Sequence, residues 1–132
     1  MFIWMTLLTA LAHEMPSNLS TDLVFAKNDV AILPLAAPKL EELATLLAES
    51  PKLIVEIRVH SDQEGDDAAN LALTQRRADA LRDWLVKRGV SEGQLTSTGV
   101  GEAEPMVDAT TAGARARNRR VEFKMLQDAD HD

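Results

Sequence analysis

The chain has no cysteine, which excludes disulfides, thiolate metal sites and lipid attachment through a cysteine. An oxidising compartment stays open to it, because a domain of this size manages without disulfides. It has no surplus of positive charge either: 14 Lys and Arg stand against 21 Asp and Glu, a formal net charge of −7. That excludes bulk nucleic-acid binding, which needs a basic face to displace counterions. The apolar run at residues 2–12, in "MFIWMTLLTALAHE", falls short of the roughly 20 residues that span a bilayer. Ala10-Leu11-Ala12 has the small-x-small form of an export cleavage site, yet no Lys or Arg precedes the run. It reads as a clipped export signal, with an N-terminal helix, docked or loose, as the alternative. No Ser or Cys sits in a nucleophile elbow, and no glycine loop suits a phosphate. His13, His60 and His131 lie too far apart for metal-ligand spacing. No catalytic residue, metal or cofactor is therefore assigned.

What remains is an ordinary globular composition, 45% hydrophobic and 27% charged over 132 residues, which suits one domain with one core. Residues 13–22 are polar and read as a linker. Leu23-Val24-Phe25 reads as a first strand. From Pro34, Leu40, Leu43, Ala44 and Leu47 recur at helical spacing, and Ser50-Pro51 ends that helix. Residues 53–60 alternate, with Leu53, Val55, Ile57 and Val59 facing one way and Ile54, Glu56, Arg58 and His60 the other, as in a half-buried strand. An acidic loop follows, with Asn70 expected to cap a helix through Leu73, Arg77, Leu81 and Leu85. Arg88-Gly89-Val90 closes it, glycine supplying the left-handed position. Strands are expected at 95–100 and 119–125, joined by a long polar connection, with an acidic tail at 127–132. The order β-α-β-α-β-β predicts an α/β (α+β) fold, a two-layer sandwich with two main helices on one face of a mixed sheet.

Asp62 lies just past the end of the second strand, where loops present ligand groups. Arg77 shares a helix line with Leu73 and Leu81, so its guanidinium is expected to be half-buried and to need an anionic partner. If the loop folds back over the helix, a carboxylate and a planar fork face one space. The first receives an ammonium and the second a carboxylate, the two poles of an amino-acid head group. A purely structural Asp–Arg pair fits the same spacing, which alone does not choose between them. Asp62, Glu64, Asp66 and Asp67 beside His60 read as a solvated loop rather than a metal or catalytic cluster. The basic cluster "RARNRR" at 115–120 is expected to pair with the acidic loop or with carbonyls at a strand end.

"VHSD" at 59–62, "NLALTQRRA" at 70–78, "GVGEAEP" at 99–105 and "RARNRRVE" at 115–122, in that order and spacing, resemble the OmpA C-terminal-like domain shared by OmpA, Pal and MotB proteins. The resemblance covers roughly residues 23–125, with residues 1–22 as leader and linker and 23–126 as the domain. It implies non-enzymatic, non-covalent binding of peptidoglycan through diaminopimelate of the stem peptide. Asp62 would take the ammonium and Arg77 the carboxylate, with Ser61, Asn70 and Arg119 in support. It implies a place in the cell envelope on the periplasmic side, associated with the outer membrane at most indirectly. The chain departs from the family pattern at Val59, where the pattern has Gly, at Ser61 for Thr, and at Ala26, where an acidic residue often follows Phe. The alternative is an assembly module with a degenerate pocket, partnered by another envelope protein or by itself.

Overall fold

The computed structural model describes residues 18–128. The apolar leader, the first half of the expected linker and residues 129–132 lie outside them. In chain order the elements are β1 (Asn18–Ser20), α1 (Thr21–Val24), a 3₁₀ turn (Pro34–Ala36), α2 (Ala37–Glu49), β2 (Leu53–His60), α3 (Asp67–Val86), a second 3₁₀ turn (Glu92–Gln94), β3 (Leu95–Gly101), α4 (Ala112–Asn118) and β4 (Arg120–Asp128). The strands form one mixed sheet in the order β1-β4-β2-β3. β2 runs parallel to β3 and antiparallel to β4, and β1 is antiparallel to β4.

The α2 stripe and the β2 alternation meet in the core. Leu40, Leu43 and Leu47 of α2, Val55, Ile57 and Val59 of β2, Leu81 and Leu85 of α3, and Val121 of β4 are all fully buried. Burying each such side chain stabilises the fold by about 1.5–3 kcal/mol. α3 closes as its sequence implies: Gly89 has φ 99°, and the Val90 N–H donates to the Leu85 carbonyl at 3.2 Å.

The first strand is not at residues 23–25. Leu19 at the centre of β1 pairs with Val121, and the following residues form one helical turn. That turn buries Val24 and Phe25 while Leu23 stays half exposed, so these three side chains do not lie on one strand face. The sheet thus begins upstream of residue 23. At the other end β4 continues through Gln127 and Asp128, which pair with Ile54 and Leu53. α3 starts four residues earlier than a cap at Asn70 implies. Its cap is Asp66, whose Oδ2 accepts the Ala69 N–H at 2.9 Å.

His60 is 1% exposed, against the expectation that it faces solvent. The register with β3 shifts between Val59 and His60, and His60 is crowded by Glu122, whose Oε1 lies 3.4 Å from its Nε2. Burial and the charges of Arg120 and Arg58 hold its pKa below the usual histidine value against the pull of Glu122. Val59 itself stays in ordinary strand register, paired with Gly99 and Val121.

Candidate functional site

β2 is hydrogen-bonded on both sides, so the loop leaving it starts from a fixed point. The Ser61 N–H donates to the Gly101 carbonyl at 2.8 Å, and the Ser61 hydroxyl donates to the Asp62 carbonyl at 3.2 Å. Asp62 is 8% exposed. Its Oδ1 accepts the Glu64 N–H at 2.9 Å, and its Oδ2 accepts Nη1 of Arg119. Asn70, displaced from the cap, closes the loop from the helix side by donating to the Glu64 carbonyl at 2.8 Å. Arg115 reaches Glu64 at 3.1 Å from the other side. Two arginines four residues apart, Arg115 and Arg119, therefore clamp the acidic loop, as expected of the basic cluster. Arg120 instead donates to the carbonyls of Glu104 and Asn118.

Arg77 lies midway along α3 and is 7% exposed. Its Nε donates to the Asp29 carbonyl at 2.9 Å and its Nη2 to the Ala26 carbonyl at 3.0 Å. The guanidinium sits 5.0 Å from the centre of the Phe25 ring. Asn28, with φ 61°, and the Asp29 side chain, which accepts the Val30 and Ala31 N–H groups, shape the turn that presents those carbonyls. At position 26 the main chain thus supplies an acceptor where the family pattern often has an acidic side chain. Burial lowers the Arg77 pKa, while Asp22 and Asp29 oppose the shift; a guanidinium stays charged regardless. Among the described residues no hydrogen bond occupies its Nη1.

Asp62 and Arg77 do not pair with each other. Between them the structure inserts two residues. Arg119 grips Asp22 with Nε and Nη2, both at 3.0 Å, while its Nη1 holds Asp62. These bonds, to Asp22 first, raise the Arg119 pKa further above its already high value. Asp22 also acts on Arg77 electrostatically. The result is a row of alternating sign, Arg77, Asp22, Arg119, Asp62, in place of a two-residue pair. Asp22 fell within the expected linker; an acid one position ahead of an apolar triplet is its only sequence cue.

A cavity of about 650 Å³ opens next to the Asp62 loop, lined by Gln63, Asp67, Leu71, Val100, Gly101, Glu102 and Ala103. Neither Asp62 nor Arg77 lines it. At its rim a hydrogen bond with Asp67 raises the Glu102 pKa, and the charge of Asp62 adds to the effect. Asn118, 1% exposed, holds the nearby connection by accepting the Met106 and Val107 N–H groups and donating to the Val107 carbonyl.

Residues 24–119 match the model of the OmpA family. The chain is 40% identical over 101 residues to outer membrane porin F of Pseudomonas fluorescens, covering 76% of this chain and 31% of that protein. It is 31% identical over 101 residues to peptidoglycan-binding protein ArfA of Mycobacterium tuberculosis, with the same shares of 76% and 31%. It thus spans about a third of the length of these relatives. Among solved structures, a MotB-like protein from Desulfovibrio vulgaris superposes with a TM-score of 0.77 at 27% identity, over 86% of this chain and 74% of that one. Among the described residues no helix is long and apolar enough to cross a membrane.

Proposed function

The chain belongs to the OmpA family, and from that premise we propose that it binds peptidoglycan without catalysis or covalent attachment, through diaminopimelate of the stem peptide. The ammonium meets Asp62 and the carboxylate meets Arg77, with Ser61 and Asn70 fixing the loop and Arg119 in support, holding Asp62 until the ligand arrives. The module works on the periplasmic side of the envelope and anchors a component associated with the outer membrane. The observation that carries this reading is a carboxylate and a guanidinium, each more than nine-tenths buried on neighbouring elements, with one guanidinium nitrogen free of hydrogen bonds to the described residues. Charged side chains are seldom this buried without a partner, and desolvated charges beside specific partners cluster at functional sites. The name of the Mycobacterium tuberculosis relative points the same way.

Capture on purified peptidoglycan tests it. Removing one partner of a desolvated charge pair costs about 2–5 kcal/mol, so Asp62→Ala and Arg77→Ala should both lose capture while keeping a native amide spectrum. Capture equal to wild type by either folded variant refutes the site.

A second reading has its own support. Arg119 already occupies Asp62, and two nitrogens of Arg77 are committed to carbonyls, as in a module that assembles with another envelope protein or with itself. Titration with free diaminopimelate separates the two: shifts confined to residues 61–77 favour the wall-binding reading, and an unchanged spectrum favours assembly.

A further inference from the structure

We propose that Asp22 is a positioning residue of this site, acting through Arg119 on the ammonium end of the ligand; the inference rests on the reading above. The Arg119 guanidinium lies between two carboxylates. Asp22 takes Nε and Nη2 in a fork at 3.0 Å each, and Asp62 takes Nη1. The chain's own cation thus stands where an incoming ammonium has to dock, and entry is an exchange. A guanidinium released from one carboxylate with no other partner would compete strongly to return. Asp22 removes that cost, because its two parallel bonds keep Arg119 paired after Asp62 changes hands.

Asp22 is built to stay in place. β1 pairs Ser20 with Arg120, and the Thr21 N–H donates to the Arg119 carbonyl at 3.0 Å. Asp22 and Arg119 are therefore fixed to one another through the backbone as well as through the ion pair. Asp22 lies just upstream of the 24–119 span that matches the family model, in the helical turn that follows β1.

The test is a mutant cycle read by titration with free diaminopimelate, using the full chain and confirming a native amide spectrum for each variant. Asp22→Asn leaves Arg119 with Asp62 alone and should weaken binding about three- to fivefold, the scale of a part-exposed ion pair. Arg119→Gln removes the competitor and should tighten binding about threefold, on the same scale. In the Arg119→Gln background Asp22→Asn should have no further effect, because its route is gone. An Asp22 that only props the fold weakens binding equally in both backgrounds; that result, or weaker binding by Arg119→Gln, overturns the proposal. Arg119→Lys, which keeps the charge and loses the fork, is the second variant if Gln does not fold, and it should shrink the Asp22→Asn effect. A wild-type protein that ignores diaminopimelate sinks the wall-binding reading and this inference together, whereas a wild-type binder with an additive cycle sinks this inference alone.

Discussion

α3 packs directly against β3 at Gly99, and Gly99→Ala measures how much the site depends on that approach. A Cβ at Gly99 would lie 2.2 Å from the Gln75 nitrogen, 2.5 Å from its Cα and 2.7 Å from the Thr74 carbonyl carbon. All three atoms belong to the helix backbone, so no side-chain rotation relieves the clash. Ordinary carbon contacts need about 3.5–4 Å, which requires α3 to retreat by more than about 1 Å. Retreat stretches two bonds that tie helix to strand: the Gly99 N–H to Gln75 Oε1 at 2.9 Å and the Gly101 N–H to Thr74 Oγ1 at 3.0 Å. Overpacking costs about 1–3 kcal/mol, and the weakened bonds add about 1 kcal/mol each. The total, about 3–5 kcal/mol, is a large part of a typical domain's stability. With a urea slope near 2 kcal/mol/M, the unfolding midpoint should fall by about 1.5–2.5 M. Arg77 rides on the same helix, so affinity for diaminopimelate should fall with it. A midpoint within about 0.3 M of wild type, outside the range set by that slope, would show that α3 does not approach the strand as closely as described.

Gln94 offers a cleaner hydrogen-bond test. Its Nε2 donates to the carbonyls of Leu47, Ser50 and Leu53 at 2.8, 2.9 and 3.2 Å in a buried site. Gln94→Leu keeps the bulk but removes the donor, leaving the Leu47 and Ser50 carbonyls only their bonds from the Ser50 and Leu53 N–H groups, and urea denaturation should show a loss of about 1–3 kcal/mol. His60 predicts a pH dependence. Its pKa is lowered in the folded protein, so the unfolded chain binds the proton first as the pH drops. The contribution is intact above the unfolded value near 6.5 and is lost as the pH falls through the window below it. Stability from thermal melts should decline between about pH 7 and pH 5, and His60→Gln should flatten that decline. A wild-type profile that is flat across this window contradicts the burial of His60.

The parts of the fold legible in the sequence are those long enough to show a period. Leu53–His60 alternates over eight residues and α2 repeats its leucines through Leu47, so both stand out. β1 has three residues with one half-buried apolar side chain, too few for any period, and it exists because β4 offers an edge to pair with. Asp66 and Asn70 are both competent caps. The main chain decides between them, because a helix begun at Asp67 leaves Asn70 free to close the loop on Glu64. His60 follows the outward phase of its strand, and only the register shift and the neighbouring Glu122 bury it. Asp62 and Arg77 are legible as candidates because strand-end position and helix line are local properties. Their separation by Asp22 and Arg119 is not, since it joins side chains 97 positions apart.

The two ends of the proposed head-group site hang from parts of the molecule that resist opening to different degrees. Asp62 follows the strand with hydrogen-bonded neighbours on both sides, the portion of a sheet whose amides exchange slowest. The carbonyls that steady Arg77 belong to residues 26 and 29, in a turn closed at its base by an isolated Phe25–Ile32 bridge and the Leu33-to-Val24 bond. On gentle warming the cationic grip should therefore loosen while the anionic one still stands, and exchange at residues 26–31 should quicken before exchange at 55–61.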